Sequence, residues 1–473
     1  DQMRFRNTRS PFNLYDSTAQ LTGQLIVSKN GVTGAGRLDT RGSELRSREM
    51  SFNGKDFGAR HARFRAKSAD PSKPLIDGTD VRVKFNLAQN YADISPEIAG
   101  EAAIDFPFAQ FKTSIPNARW DLTNQKIIMT KGENIALKDS YFYTTRKELD
   151  SLNFNAEKAE YDLKTQELKV SGIPYIIVAD AKITPENGEV LILENAKIGT
   201  LKNTTIIIDT LNGYHRLTEG EVDIISRNEF SGYATYQYVN FLNDTFSIKM
   251  TDFHLEEVAP VQTSKLFGRK QSTATKQTVA TGSVSEHDHL VLGAGMFYRG
   301  DMIMYATKPA LTLSGSIKLD IKKIKGYNTW IRYEQTGDET EVLIDFDNAL
   351  NEEGRKVDAG LHFSAQDNSL YISFLNEKLE EDDDFFVPSG TLYYDIESKE
   401  YRIEDLEKAA GNKLSGKVFA YNDEASSVRF EGPINFFNGY KDFDITASAI
   451  GQGNMETNEI KMNSLVAVNT TAI

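Results

Sequence analysis

The chain has 473 residues, a formal net charge of −14 and no cysteine. The missing thiols exclude disulfides, thiolate catalysis and cysteine-ligated zinc. The acidic balance argues against a general nucleic-acid binder, whose phosphate contacts need a basic face.

The length predicts two to four domains or one elongated repetitive body, and 40% hydrophobic residues suffice for a real core. Residues 1–70 break the acidic trend, with 13 Lys/Arg against 7 Asp/Glu. That segment reads either as a solvated strand face or as a surface for anionic lipid or an acidic partner. Alternation with period two, interrupted every 8–12 residues by turn chemistry, dominates the chain. A phrase LTGQL at 21–25 recurs as LSGSI at 313–317 and LSGKV at 414–418, where glycine suits close backbone approach or a bulge. A second phrase, WDLTNQKIIM at 120–129, recurs as YDLKTQELKV at 161–170 and YDIESKEYRI at 394–403. It reads as a hairpin whose Asp caps a polar turn. Strands are expected at 168–172, 175–178, 190–193 and 205–208, rich in β-branched residues. Helix is confined to RIEDLEKAA at 402–410 and a short turn at 147–149. The polar stretch at 262–286 separates a first β body, 1–260, from a second, 287–473, with 261–286 as loop or linker; a long polar hairpin is the alternative. No run of about 18 apolar residues is present to form a membrane-spanning helix. The start at Asp1 and the strand-like end at 465–468 read as those of a piece of something longer.

Over residues 153–212, the run AEKAEYD, the alternating strand ending at Gly172, and VADAKI at 178–183 resemble OstA-like repeats. Such repeats occur in the periplasmic bridge proteins of lipopolysaccharide transport, and the segment also resembles very large envelope proteins of Bacteroidota. The likeness is clearest over 100–260. It implies an all-β fold, an extended repetitive antiparallel β-taco or jellyroll, with a β-solenoid as the variant. It also implies a periplasmic or outer-membrane-associated location in a Gram-negative bacterium, envelope proteins as partners, and an apolar groove for lipid or lipopolysaccharide. Candidate groove residues are Ile176, Val178, Leu191, Leu193, Ile206 and Ile208; the same residues also suit an ordinary sandwich core.

Polar constellations are sparse. His287 and His289 share a face if they lie on a strand, yet no third ligand stands nearby. The acidic run Glu380–Asp384 lacks EF-hand spacing and reads first as a solvated turn. No nucleophile elbow, phosphate loop or dinucleotide fingerprint opens a helix. The expectation is therefore a non-catalytic lipid-shielding scaffold without cofactor or metal. The alternative is a surface interaction module displaying aromatics such as Tyr236, Tyr238, Tyr393 and Tyr394.

Overall fold

The structure, a computed structural model, describes all residues except 1, 8, 210, 259–275, 338, 377, 412–414, 436–442 and 471–473. Strands occupy 57% of the chain and helical turns 5%, in sheets of 17, 11, 7 and 3 strands. The fold is all-β. The chain divides into two compact units, residues 1–236 with 249–280 and 305–309, and residues 237–248 with 281–304 and 310–473.

The first unit opens with β1 (Gln2–Arg6), β2 (Phe12–Leu14) and five long strands: β3 (Ala19–Ser28), β4 (Gly31–Thr40), β5 (Ser43–Phe52), β6 (Asp56–Ala66) and β7 (Ile76–Asn86). Short strands follow: β8 (Tyr91–Pro96), β9 (Ile104–Phe106), β10 (Phe111–Thr113), β11 (Asn117–Asp121), β12 (Lys126–Thr130), β13 (Tyr141–Thr144) and β14 (Asn153–Asn155). The series continues with β15 (Lys158–Asp162), β16 (Leu168–Ser171), β17 (Ile176–Val178), β18 (Ala181–Thr184) and β19 (Val190–Ile192). Long strands then return as β20 (Leu201–Ile208) and β21 (His215–Ser226), followed by β22 (Glu229–Val239) and β23 (Thr245–Glu257), whose residues from 237 to 248 belong to the second unit.

The short strands enter two ladders alternately, a pair at a time. One ladder joins β8, β11, β12, β15, β16 and β19, and the other joins β9, β10, β13 and β14. Strand β7 feeds both, pairing β9 through Asp77 and Gly78 and β8 through Val81 to Asn86. Two of the recurring Asp-turn phrases are the hairpins β11–β12 and β15–β16. Asp121 accepts from the backbone N–H of Thr123 and Asn124, and Asp162 from those of Lys164 and Thr165. Such Asx turns close a tight loop without help from the rest of the fold.

Bulges let the long strands serve both layers. Inward positions advance by three rather than two at Ser47 to Met50 on β5, Ala59 to Ala62 on β6 and Gly78 to Val81 on β7. The same slip recurs at Leu201 to Thr204 on β20, Leu217 to Gly220 on β21 and Met250 to Phe253 on β23. Each extra residue bends its strand while keeping apolar side chains inside on both arms. His61 and Asp80 hold the left-handed backbone of the first set and are 2.9 Å apart, Nδ1 to Oδ1. Beside them the Glu97 carboxylate accepts from Arg82 Nη2 (2.9 Å), Arg60 Nη2 (3.3 Å) and the His61 N–H (3.3 Å). Desolvation opposes its ionisation, but these donors prevail and hold its pKa near 2 rather than 4.5.

A carboxyl with a depressed pKa stabilises the fold above its unfolded pKa and loses that contribution as pH falls toward the folded value. Glu97→Gln is therefore expected to cost about 1–2 kcal/mol at neutral pH, the two arginines being half exposed. Acid titration followed by circular dichroism should show a smaller loss in the variant between about pH 4.5 and 2.

The glycine phrase marks close backbone approach at two of its three sites. Gly23 pairs with Gly36, where a Cβ on Gly36 would lie 2.2 Å from the Thr22 carbonyl oxygen. Gly315 pairs with Gly300, where a Cβ on Gly315 would lie 2.2 Å from the Arg299 carbonyl oxygen. Gly416, in the third copy, has nothing nearer than the Lys408 side chain at 3.4 Å.

Two boundaries differ from expectation. Residues 262–275 of the polar stretch lie outside the described residues, but Lys276–Val284 is a strand, so the linker expected over 261–286 does not extend past 275. Residues 402–404 end a strand, and only Leu406–Ala409 is helical, with the Asp405 carboxylate accepting from the Glu407 N–H. The second unit includes the seven-stranded sheet and a three-stranded sheet with Ala359–Phe363 at its centre, between Leu370–Phe374 and Asp383–Phe386. No helix among the described residues is long and apolar enough to cross a membrane.

Candidate functional site: two apolar files

Register places two unbroken rows of inward side chains across twelve strands of the first unit. One runs Met3–Val27–Val32–Phe52–Phe57–Phe85, then Ala92–Trp120–Ile127–Tyr161–Leu168–Ile192. The other runs Phe5–Leu25–Gly34–Met50–Ala59–Val83, then Ile94–Ala118–Met129–Ala159–Val170–Val190. At about 4.8 Å per strand the files extend roughly 50 Å. Their one ionisable member is Tyr161, whose hydroxyl is buried without a partner and pushed strongly upward by burial.

From Phe52 and Met50 onward every non-glycine member is buried. Phe57 stacks on Phe85 at 4.5 Å, and Trp120 meets Phe64 edge-on at 6.0 Å. Phe106 of the second ladder contacts Tyr161 of the first at 4.9 Å, so aromatic rings fill the space between the layers. At the other end the files reach solvent: Val32, Val27 and Leu25 are half-buried, Phe5 is 44% exposed and Met3 62%.

The expected groove residues divide between faces. Ile176, Val178, Ile206 and Ile208 are fully buried and lie together, joined through Ile183 and Ala181 of β18. Leu191 and Leu193 are not with them. Leu191 is exposed and pairs with Lys169 on the outward pleat, and Leu193 is half-buried beyond the strand end. Their neighbours Val190 and Ile192 end the two files instead. All four residues from 190 to 193 are aliphatic, so alternation alone left the pleat undetermined.

The polar candidates are also relocated. His287 lies in a single 3-10 turn, Glu286–Asp288, and His289 just after it in left-handed backbone; Asp288 caps that turn, accepting from the Ser285 N–H and hydroxyl at 2.7 Å. No group of three metal-ligating side chains forms among the described residues. Tyr393 donates to Glu404 and Tyr394 packs on Tyr401 at 4.8 Å; Tyr236 and Tyr238 are half-buried. His215, buried opposite Ile208, faces the Tyr305 and Lys308 carbonyls with Nε2, at 3.2 and 2.8 Å, and burial lowers its pKa.

The acidic run is not a solvated turn throughout. Asp382 accepts from the Tyr371 hydroxyl (2.6 Å) and the Ala365 N–H (2.9 Å), which hold its carboxyl below the usual range. Asp384 accepts from Lys378 and from Nδ1 of the fully buried His362 (2.9 Å). Ser373 Oγ is 2.8 Å from His362 Nε2, giving the distances of a Ser–His–Asp triad. Asp358 Oδ2 also stands 3.1 Å from that Nε2 and 3.5 Å from Ser373 Oγ, so a second carboxylate shares the nitrogen that would face the hydroxyl. Ser373 is also buried. The cluster ties the three strands of the small sheet together. Its partners, at 358, 362, 373 and 384, are too scattered in sequence to be grouped before the strands pair.

No protein-family model and no curated protein matches this chain.

Proposed function

We propose that this chain is a non-catalytic, extracytoplasmic scaffold of a bacterial envelope whose apolar interior shields or conveys lipid, either lipopolysaccharide or phospholipid, alongside other envelope proteins. The observation that carries this reading is the pair of apolar files, about 50 Å long, that reach solvent at Met3 and Phe5. An acyl chain entering beside those residues exchanges water for aliphatic and aromatic surface, gaining about 0.8 kcal/mol per buried methylene. No polar subsite is required for that. The OstA-like phrasing at 153–212, whose strands β14, β15, β16 and β19 fall on the two ladders and β17, β18 and β20 on the 11-stranded sheet, supports the same reading.

A second reading, a closed β module binding protein or glycan at its surface, is favoured by the contact between Phe106 and Tyr161 across the layers. Native mass spectrometry of protein taken from envelopes separates the two. Co-purifying phospholipid or lipopolysaccharide is expected from the first reading. Lipid-free protein, with no protection of Met3 and Phe5 in hydroxyl-radical footprinting when lipid is added, would overturn it.

A further inference from the structure

We propose that the outward face of β4, β5 and β6 is a docking surface for an anionic bilayer. Arg37, Arg46 and Arg63 stand directly opposite one another across three adjacent strands. Their side chains are 48%, 56% and 50% exposed. Like charges in direct cross-strand register are destabilising, and the neighbouring carboxylates relieve this only in part. Glu44 is shared by Arg37 and Arg46, Asp77 by Arg63 and Arg65, and Asp39 by Arg37 and Lys67. Five cations are thus held by three carboxylates, and the exposed Arg41 adds to the excess, while Glu49 offsets its neighbour Arg48. This positive surface belongs to a chain whose net charge is −14, so it is a local feature rather than a reflection of overall basicity.

Arginine forks match phosphate oxygens two at a time, and a flat row spanning about 10 Å faces a plane of headgroups better than one enclosed phosphate. The choice of a membrane over a nucleic acid rests on β1, in the same sheet. There Arg4 and Arg6 lie on the outward pleat and Met3 and Phe5 on the other, all four exposed because β1 is an edge strand. An edge with cations on one pleat and apolar side chains on the other suits a headgroup interface, where both find a partner, better than a nucleic acid.

The test uses co-sedimentation of the full chain with phosphatidylcholine vesicles, with and without phosphatidylglycerol. Binding is expected only with the anionic lipid, and it should vanish at high salt. Arg37→Gln/Arg46→Gln/Arg63→Gln is expected to weaken it roughly a hundredfold while leaving the circular-dichroism spectrum unchanged; Lys158→Gln, outside the row, should bind as the parent does. Equal binding by the triple variant, binding to pure phosphatidylcholine, full competition by inorganic phosphate, or tighter binding to duplex DNA would each overturn the proposal. Failure here, with co-purifying lipid still seen by mass spectrometry, would remove this surface and leave the lipid-shielding interior standing.

Discussion

Trp120→Ala is expected to destabilise the first unit by about 3–5 kcal/mol, the range for deleting a large buried aromatic. The indole sits mid-file, 2% exposed, within edge contact of Phe64 and Phe85, at 6.0 and 6.5 Å. Its Cη2 also fills the space over Gly42, 3.3 Å from where a Cβ would stand. None of these neighbours can move in without leaving its own contacts, so a cavity persists. Ile128→Ala provides the comparison. That residue is on the next strand but on the outward pleat and 43% exposed, and its loss should cost less than about 1 kcal/mol. Hydrogen exchange over residues 117–130 measures both, and similar protection in the two variants would show that the file is not a packed interior.

His362→Leu is expected to cost roughly 3 kcal/mol in the second unit. The imidazole is fully buried and, among the described residues, is the one group within reach of Asp358, Ser373 and Asp384 together. Leucine fills the space but takes one partner from each of Asp358, Ser373 and Asp384, and breaking a pair with a buried member costs more than never having made it. Lys378→Met removes the other partner of Asp384, a half-buried lysine whose carboxylate partner is 43% exposed, and should cost under about 1 kcal/mol. Burial works against ionisation of Asp384, but Lys378 and His362 outweigh it and hold its carboxyl below the ordinary value. Its contribution is therefore present above the unfolded carboxylate pKa of about 4 and lost as pH falls below it. Urea midpoints at pH 7 and pH 3 should differ less in His362→Leu than in the parent.

Much of the fold was legible before any coordinates. The Asp-turn phrases at 120–129 and 161–170 are hairpins because an Asx turn is a local device. The glycine phrase marks close backbone approach at Gly23 and Gly315 because no other residue tolerates it there. What escaped has a common cause. At 47–50, 59–62 and 78–81 the alternation slips by one, and a reading with strict period two takes such a slip for an interruption instead of a bulge. Leu191 and Leu193 were indistinguishable from Val190 and Ile192 until pairing with Lys169 set the pleat. His362 gave no signal because its partners meet only after three strands assemble.

The two hairpin phrases lie 41 residues apart, at 120 and 161; the first opens a stretch that visits one ladder (β11, β12) and then the other (β13, β14), and the second returns to the first ladder (β15, β16) before β17 and β18 enter the 11-stranded sheet. Each such hairpin pair adds two strands to the first ladder, two strand spacings or about 10 Å. The length of that ladder is therefore set by how many Asp-turn hairpins the chain lays into it, two here.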